Sequence, residues 1–294
     1  IGLSTNRAAE AARKPLETSC LMPGMALTSA RRRSRRRCSD FPQIVRVMTE
    51  AWAATNLYCP NCGHQSLTQY EVNRPVADFF CSICCDDFEL KSSSRAFGKK
   101  MANGAYETKM QRLASDTSPN LVLLRYDLER RQVRDLACVP RRFFVHSIIE
   151  ARKPLAETAR RRGWIGSNIL LHLVPKIGRI DLVRNGETMD KRAVLEKWRQ
   201  TAFLEKNTGT ARGWLVDVMI CIERLEKETF SLTDIYECEG RLEQLYPENQ
   251  HVRAKIRQQL QVLRDNGYLV FLGNGEYRKN AQPIDRTMSA SRRD

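Results

Sequence analysis

The stretch Tyr58–Lys91 reads YCPNCGHQSLTQYEVNRPVADFFCSICCDDFELK. It contains two CxxC pairs, Cys59 with Cys62 and Cys81 with Cys84, separated by eighteen residues. Each pair can offer two sulfurs to one tetrahedral ion, and this spacing is typical of a structural zinc site with four thiolates. Redox-active CxxC turns or disulfides are the alternative, and we favour zinc.

The same stretch carries three side chains suited to phosphodiester hydrolysis. Asp78 precedes the second cysteine pair, and Glu89 and Lys91 follow it, in the pattern D-(x10)-E-x-K. Two carboxylates can hold a magnesium ion, and a lysine can orient water or stabilise negative charge on phosphorus. The pattern alone is weak, because many surface hairpins match it by chance. Combined with the cysteine pairs, it predicts a nuclease that contains a structural zinc site.

Local patterning suggests how these side chains meet. PVADFFC alternates in polarity and predicts a strand, and DDFELKSS predicts its partner. Pairing of the two strands would place Asp78 beside Glu89, and the zinc site between the strands would fix the register.

Composition narrows the class of protein. The 294 residues favour about two domains, and no apolar run is long enough for a membrane span. The net charge is +15, of which +6 belongs to residues 1–45, so the remaining chain carries +9. This excess indicates a polyanionic partner, DNA above all. The other cysteines are scattered, which favours a reducing compartment and predicts a cytoplasmic protein.

The chain divides into four predicted segments. Residues 1–42, with the run ARRRSRRRC, are expected to be a disordered basic extension, and residues 281–294 a disordered tail. Residues 43–206 mix helices and strands around a central sheet, which predicts an α/β (α+β) domain. Helices are predicted over Phe41–Asn56 and Gly104–Ser115. A polar connector then leads to a compact domain at residues 207–280. Its first helix is predicted over Gly213–Lys227 with one face inward, and its second begins at Ser231, where Asp234 is placed for a capping box.

This compact domain has the pattern of a winged helix, with three helices followed by a hairpin at Gly273-Asn274-Gly275. The third helix is predicted over Asn249–Asn266. Its polar face includes Arg253, Arg257 and Gln261, side chains that can pair with base edges in the major groove. A solvated face on a dimerisation or scaffolding domain is the alternative.

Several stretches together resemble the DpnI or Dam-replacing family, type IIM restriction endonucleases that cut GATC only when its adenines are methylated. The matching stretches, from about Val45 to Lys279, are YCPNCG, NRPVADF, FELK, NGAY, RKPLAETARRRGWIG, GRI, RGW and KIRQQLQVLRD. The resemblance implies a PD-(D/E)XK nuclease core with structural Zn²⁺, followed by a winged helix, both reading double-stranded G-m6A-TC. It implies that Asp78, Glu89 and the Leu90 carbonyl bind Mg²⁺ and that Lys91 is the motif lysine. We expect a monomer without membrane association.

The remaining candidate residues concern DNA contact. Arg160, Arg161 and Arg162 lie in a basic loop and are suited to phosphates, and Trp164 beside them is suited to apolar contact with a methyl group. Trp164 is equally compatible with a core position. Arg212 and Trp214, at the start of the winged helix, are further candidates, although Trp214 fits the core better.

A different class of function also fits much of the sequence. A winged-helix regulator that contains zinc and binds methylated DNA without cutting it would explain the charge, the cysteines and the third helix. It would leave Asp78, Glu89 and Lys91 as coincidence. Magnesium-dependent cleavage, and its loss in Asp78→Ala with binding retained, separates the two classes.

Overall fold

The computed structural model describes residues 41–71 and 77–280. Residues 1–40, 72–76 and 281–294 lie outside the described part, and with them the predicted tail and nearly all of the predicted extension. The elements follow the chain as α1 (Phe41–Asn56), β1 (Thr68–Gln69), β2 (Phe79–Phe80), β3 (Asp87–Ser93), β4 (Met101–Ala105), α2 (Tyr106–Ala114), β5 (Asn120–Asp127), β6 (Gln132–Val139), β7 (Ile149–Ala151), β8 (Gly166–Ile169), β9 (Ile180–Arg184), β10 (Glu187–Thr188), α3 (Lys191–Gln200), α4 (Gly209–Arg224), β11 (Thr229–Ser231), α5 (Leu232–Tyr236), α6 (Glu239–Leu245), α7 (Val252–Asp265), β12 (Leu269–Gly273) and β13 (Glu276–Lys279).

The chain forms two compact units that are interleaved in sequence. Among the described residues, the first takes 41–71, 77–96, 121–138 and 181–195, and the second takes 97–120, 139–180 and 196–280. Within the described residues, no helix combines the length and apolar character that a membrane span requires.

A seven-stranded sheet organises the first unit, in the order β1-β2-β3-β5-β6-β9-β10. β5 supplies its most apolar stretch, since Leu121–Leu124 are all buried. A continuous buried run of this kind is expected for a strand that is covered on both faces. β2 and β3 are antiparallel, with Phe79 opposite Phe88. The predicted pairing of these two strands is therefore confirmed at Phe79 and Phe80. The first strand is shorter than the predicted PVADFFC stretch, since Ala77 and Asp78 precede it, and residues 75–76 lie outside the described part.

α1 matches the predicted helix in both bounds and packs on the sheet through Trp52, which is buried. Its buried Thr49 lies 3.1 Å from Ser92 on β3, joining the two hydroxyls. A helix one side of which carries apolar and small side chains buries that side against a sheet. Here the buried side holds α1 beside β3.

The second unit contains two three-stranded sheets, β4-β8-β7 and β11-β13-β12. Met101–Ala105 forms a strand, β4, in front of the predicted helix, which begins at Tyr106 rather than Gly104. The short strand had no pattern of its own, since MANGA is neither apolar nor alternating, and it exists because it pairs with β8.

The C-terminal part of this unit is a winged helix with one more strand and one more helix than the sequence indicated. β11 adds a third strand to the hairpin of β12 and β13, whose turn has positive φ at Gly273, Asn274 and Gly275. The single helix expected after Ser231 is divided into α5 and α6, with Glu237 and Cys238 between them. The predicted capping box is present, because Ser231 and Asp234 bond reciprocally.

The mixed α/β architecture with a sheet core and a C-terminal helix-turn-helix domain is therefore confirmed. One detail differs from expectation at α4, where every residue from Arg212 to Ile222 is buried rather than one face alone. α4 is covered on all sides because α7, the end of the preceding segment (Ala202–Lys206) and the turn His146–Ile148 pack around it.

Candidate functional site

The four cysteines of the predicted zinc site come together. Their sulfurs all lie within 4.8 Å of one another, and the Cys59–Cys84 and Cys62–Cys81 sulfur pairs are each 3.5 Å apart. Four thiolates bound tetrahedrally to zinc would be spaced by about 3.8 Å, given Zn–S bonds of about 2.3 Å. The cluster therefore has the dimensions and the donor set of a structural Zn²⁺ site.

Two turns of the same design carry these cysteines. In the first, the Gly63 N–H donates to the Cys59 carbonyl at 2.9 Å, and the Cys59 N–H donates to the His64 carbonyl at 2.8 Å. In the second, the Cys85 N–H donates to the Cys81 carbonyl and the Cys81 N–H to the Asp86 carbonyl, both at 2.9 Å.

Cys85 therefore occupies the place that Gly63 holds in the first turn, and both have left-handed backbone, with φ of 61° and 79°. An L-residue pays a steric cost in this conformation that glycine avoids. Cys85 is exposed and does not belong to the four-sulfur cluster. Cys85, the additional cysteine next to the fourth ligand, thus closes the turn through its backbone.

The cysteines of this cluster differ in their electrostatics: burial acts to raise the pKa of the Cys81 thiol, but backbone hydrogen bonds from Cys84 and Ile83 leave it lowered. Burial raises the pKa of the Cys59 thiol, and it raises the pKa of the Cys84 thiol to about 12. A metal ion provides the positive charge that makes the thiolate form favourable in such a place.

The candidate catalytic residues lie on either side of the second cysteine turn. This turn closes the hairpin of β2 and β3, with Asp78 immediately before β2 and Glu89 and Lys91 within β3. The Asp78 N–H donates to the Phe88 carbonyl at 2.9 Å. The cysteine turn therefore closes the hairpin in the register that brings Asp78 alongside β3.

Contacts among these residues are direct. The Leu90 N–H donates to Oδ2 of Asp78 at 2.7 Å, and Nζ of Lys91 lies 2.8 Å from Oε1 of Glu89. Glu89 and Lys91 are two residues apart on one strand, so they project from the same face. The N–H and C=O of a strand residue point to the same side, so the Leu90 carbonyl faces the side on which Asp78 lies.

Burial dominates the electrostatics of Asp78. Desolvation raises the pKa of its carboxyl, and the neighbouring Glu89 acts in the same direction. The Leu90 N–H and the positive charges of Lys91 and Arg46 oppose this rise. A raised carboxyl pKa among other ionisable groups is typical of a site that binds a further cation.

Arg46 is a part of this environment that the sequence did not single out. It lies on α1, and its Nε donates to Oε1 of Glu50 at 2.8 Å. The spacing of Arg46 and Glu50 by four residues is common on any exposed helix face, so the sequence favoured a solvated Glu50 over one that supports the metal site from a distance.

The predicted basic loop connects β7 to β8 and is largely exposed, including Arg160, Arg161 and Arg162. Two backbone hydrogen bonds join the two ends of the loop. The Leu155 N–H donates to the Trp164 carbonyl at 3.0 Å, and the Gly163 N–H donates to the Leu155 carbonyl at 3.1 Å. The loop is therefore a projecting arm on a hydrogen-bonded base.

Trp164 stands at this base and is half-buried. A Cβ at Gly166 would lie 2.8 Å from the Trp164 ring, so the indole packs directly over that glycine. Glycine is required there because any larger residue would displace the ring. The packing is intermediate between the core position and the exposed position that the sequence left open.

On α7 the predicted division of faces is present. Val252, Ile256, Leu260 and Leu263 are buried, and Arg253, Arg257 and Gln261 are exposed. Tyr236 of α5 supports the exposed face, since Arg257 donates to its hydroxyl at 2.8 Å and the Arg253 guanidinium stacks over its ring.

Arg212 requires correction as a candidate for DNA contact, and Trp214 takes the core position that the sequence favoured. Arg212 is 3% exposed, and its Nη2 lies 2.6 Å from Oδ1 of Asp116. Trp214 is 2% exposed and stacks on Tyr246 with the ring centroids 4.1 Å apart. Both side chains lie inside the second unit, because α4 is buried on every face, so neither is placed to contact DNA.

Two family models match this chain, and together they span most of it. The model of the Dam-replacing family, DpnI, matches residues 33–207, and that of the Dam-replacing HTH domain matches residues 210–279. The first match covers the cysteine cluster and the Asp78, Glu89 and Lys91 set, and the second covers the winged helix. The chain belongs to the Dam-replacing (DpnI) family of restriction endonucleases.

Proposed function

We propose that this protein is a magnesium-dependent endonuclease that hydrolyses double-stranded DNA at GATC sites with methylated adenine. Membership of the Dam-replacing family implies a restriction endonuclease that depends on methyladenine and binds DNA through a helix-turn-helix domain. The observation that carries the finer proposal is the grouping of Asp78, Glu89 and Lys91 around the β2–β3 hairpin.

Asp78, Glu89 and the Leu90 carbonyl are the proposed magnesium ligands. All three donors are oxygens, the ligand type that magnesium prefers. The bound ion would supply a water of lowered pKa and positive charge for the phosphate. In this arrangement Asp78 is held in place by the Leu90 N–H, so its carboxylate is oriented before any substrate arrives.

Lys91 is the residue proposed to act on the reacting phosphate. Its Nζ is paired with Glu89 at 2.8 Å and its side chain is about one-third exposed, so it can reach substrate at the surface. A protonated lysine can orient the attacking water by a hydrogen bond and stabilise charge on the pentacoordinate phosphorus. It is a poor base in that state, so we assign it positioning and electrostatic stabilisation.

Zn²⁺ in the four-cysteine site is proposed to have a structural role only. Its four ligands are all protein thiolates, so no coordination position is left for water or substrate. Its function would be to hold the hairpin that carries the catalytic residues.

DNA contact is proposed at two places, the basic arm and the exposed face of α7. Arg160, Arg161 and Arg162 form an exposed basic arm that suits phosphates, with Trp164 at its base as the candidate for contact with the methyl group. On α7, Arg253, Arg257 and Gln261 suit base edges in the major groove. We further propose that the protein is a monomer in solution and acts on DNA in the cytoplasm.

A plasmid digestion tests the proposal. Plasmids with and without adenine methylation at GATC are incubated with the protein and Mg²⁺, and the fragment ends are sequenced. Discrete fragments from the methylated plasmid alone, cut at GATC, are expected. Cutting of both plasmids would refute the dependence on methylation. Tight binding to methylated duplex without cutting would support a zinc-containing winged-helix regulator instead.

A further inference from the structure

The two cysteine turns are joined by a side-chain hydrogen bond as well as by the contacts of their sulfurs. Nδ2 of Asn61, which lies between the two cysteines of the first turn, donates to Oδ2 of Asp86 at 2.6 Å. Asp86 closes the second turn, since its carbonyl accepts from the Cys81 N–H at 2.9 Å. This bond, which we call the Asn61–Asp86 clamp, therefore links the two halves of the cluster without any ion.

Burial makes the clamp stronger than an ordinary surface bond. Asp86 is 8% exposed. A buried carboxylate is costly without a partner, so an amide that satisfies it contributes more than the same bond would contribute in water. Asp86 also directly precedes β3, the strand that carries Glu89 and Lys91. The clamp therefore ties the first cysteine turn to the start of the strand on which two candidate catalytic residues lie.

The same carboxyl oxygen also reaches one of the ligand sulfurs. Sγ of Cys84 lies 3.7 Å from Oδ2 of Asp86, a distance at which a thiol can donate a weak hydrogen bond. A cysteine that binds zinc is a thiolate and has no proton to donate. In the loaded site the Asn61 amide therefore carries the contact to this oxygen. Residues that support metal ligands in this way orient them and tune the affinity for the metal.

We propose that Asn61 and Asp86 are positioning residues of the four-cysteine site and that their clamp sets its affinity for Zn²⁺. This role rests on the proposed zinc site and not on the proposed cleavage of DNA. The clamp and the ion bridge the same two turns, so each brings together the partners of the other and the two stabilise each other. Loss of the clamp therefore weakens zinc binding beyond any change in the stability of the zinc-free fold.

The test measures the Kd of the full chain for Zn²⁺, by competition with a chelator of known zinc affinity in a reducing buffer. Asn61→Ala and Asp86→Ala are each expected to weaken zinc binding by about 10- to 100-fold, the range for loss of a residue that supports a metal ligand. Asp86→Asn keeps an oxygen that accepts from Asn61, so its Kd should stay within about threefold of the wild-type value.

Two further variants separate the clamp from a general effect on the turns. Gln65→Ala removes an exposed amide from the segment that follows the first turn, and it should bind zinc as the wild type does. The double variant Asn61→Ala/Asp86→Ala should lose no more affinity than either single variant, because both substitutions remove the same bond. Additive losses would overturn the clamp, since each residue would then act on its own.

The result that would overturn the inference is an unchanged Kd for zinc in Asn61→Ala. If that variant also melted lower by the same amount with and without zinc, the bond would stabilise the fold and leave the metal site unaffected. Equal weakening in Asp86→Asn and Asp86→Ala would assign the effect to the charge of Asp86 and refute the clamp. A wild type that binds no zinc would overturn the proposed zinc site itself, whereas one zinc per chain in the wild type with unaffected variants would overturn this inference alone.

Discussion

Asp78 combines two demands that conflict within one side chain. It must be ionised to bind a metal, yet it is partly buried, and desolvation raises the pKa of its carboxyl. The Leu90 N–H, Lys91 and Arg46 offset part of this penalty. Sites built to bind a cation commonly carry such strain, and stability is lost so that function can be gained.

Replacement of Asp78 by asparagine should remove cleavage and spare DNA binding. Asparagine keeps an oxygen to accept from the Leu90 N–H, but it cannot supply the negative charge that a magnesium ligand needs. Cleavage should fall by at least about 10³-fold, as for removal of a catalytic group, while binding to methylated duplex in Ca²⁺ is retained. The exposed Glu129→Gln serves as the control, and full activity in Asp78→Asn would contradict the assignment.

We expect Asp78→Asn to change the stability of the protein in a way that depends on pH. Because the folded pKa of Asp78 is raised above its ordinary value of 3.8, its ionised form destabilises the metal-free fold at neutral pH. Below pH 3.8 the carboxyl is protonated in both states and the effect disappears. In magnesium-free buffer, Asp78→Asn should therefore melt above the wild type at neutral pH, and this difference should shrink as the pH falls towards that ordinary pKa. A difference independent of pH would contradict the burial argument.

At the scale of elements, the β2–β3 hairpin is expected to depend on its cysteine turn, which could hold a metal ion. β2 has only two residues, so its own ladder contributes little, and the turn from Cys81 to Asp86 sets its register. Structural zinc sites of this kind contribute folding free energy directly.

Cysteine substitution tests that dependence with an adjacent control. Cys84→Ser should lose bound zinc, lower the melting temperature and abolish cleavage, because Asp78 and Glu89 would lose their shared register. Cys85→Ser, one residue further, lies outside the sulfur cluster and should keep one zinc per chain and full activity. Metal content and cleavage are measured on both proteins, and zinc retained at full occupancy in Cys84→Ser would refute the four-ligand site.

The basic arm and α7 predict different kinds of DNA contact. Replacing Arg160, Arg161 and Arg162 by glutamine should weaken binding to all sequences and lower the salt dependence of log K by about 3, or roughly 0.9 for each phosphate that is no longer neutralised. Arg257→Ala should instead cost about 1–3 kcal/mol on GATC and little on other sequences. Binding is measured by titration at several salt concentrations. If both variants lost the same amount of binding affinity on all sequences, the assignment of the arm to phosphates and of α7 to base edges would be contradicted.

At the scale of the whole molecule, the sequence predicted the fold class and the cysteine cluster because both rest on local spacing. The cysteine pairs and the apolar face of α7 are local patterns that the structure has, whereas the described part of PVADFFC forms a strand only at Phe79–Phe80. Strands β4 and β11 depend on pairing between distant segments, which spacing along the chain does not record. The burial of Arg212 was missed for the same reason, whereas Trp214 lies in the core, as its sequence context favoured.

The predicted domain boundary at residues 206 and 207 leads to a last prediction. α4 follows it directly, and its buried Asp217 bonds to Ser147 at 2.5 Å and to Tyr246 at 2.6 Å, while Arg212 pairs with Asp116. Residues 207–280 alone would lack Ser147 and Asp116, leaving two buried charges short of partners. The fragment should therefore unfold at lower urea than the same segment in the full chain, as followed by hydrogen exchange of the α4 amides.

A full-length variant provides the control for this comparison. Asp116→Asn combined with Ser147→Ala removes the same two partners without cutting the chain, and should destabilise the α4 amides by about 1–3 kcal/mol, a range that allows for the partial exposure of Asp116. If the fragment instead protects its α4 amides as well as the intact protein does, the winged helix folds independently. In that case the contacts of Asp217 and Arg212 with the preceding segment contribute nothing to its stability, and the boundary at 206 and 207 divides two autonomous domains.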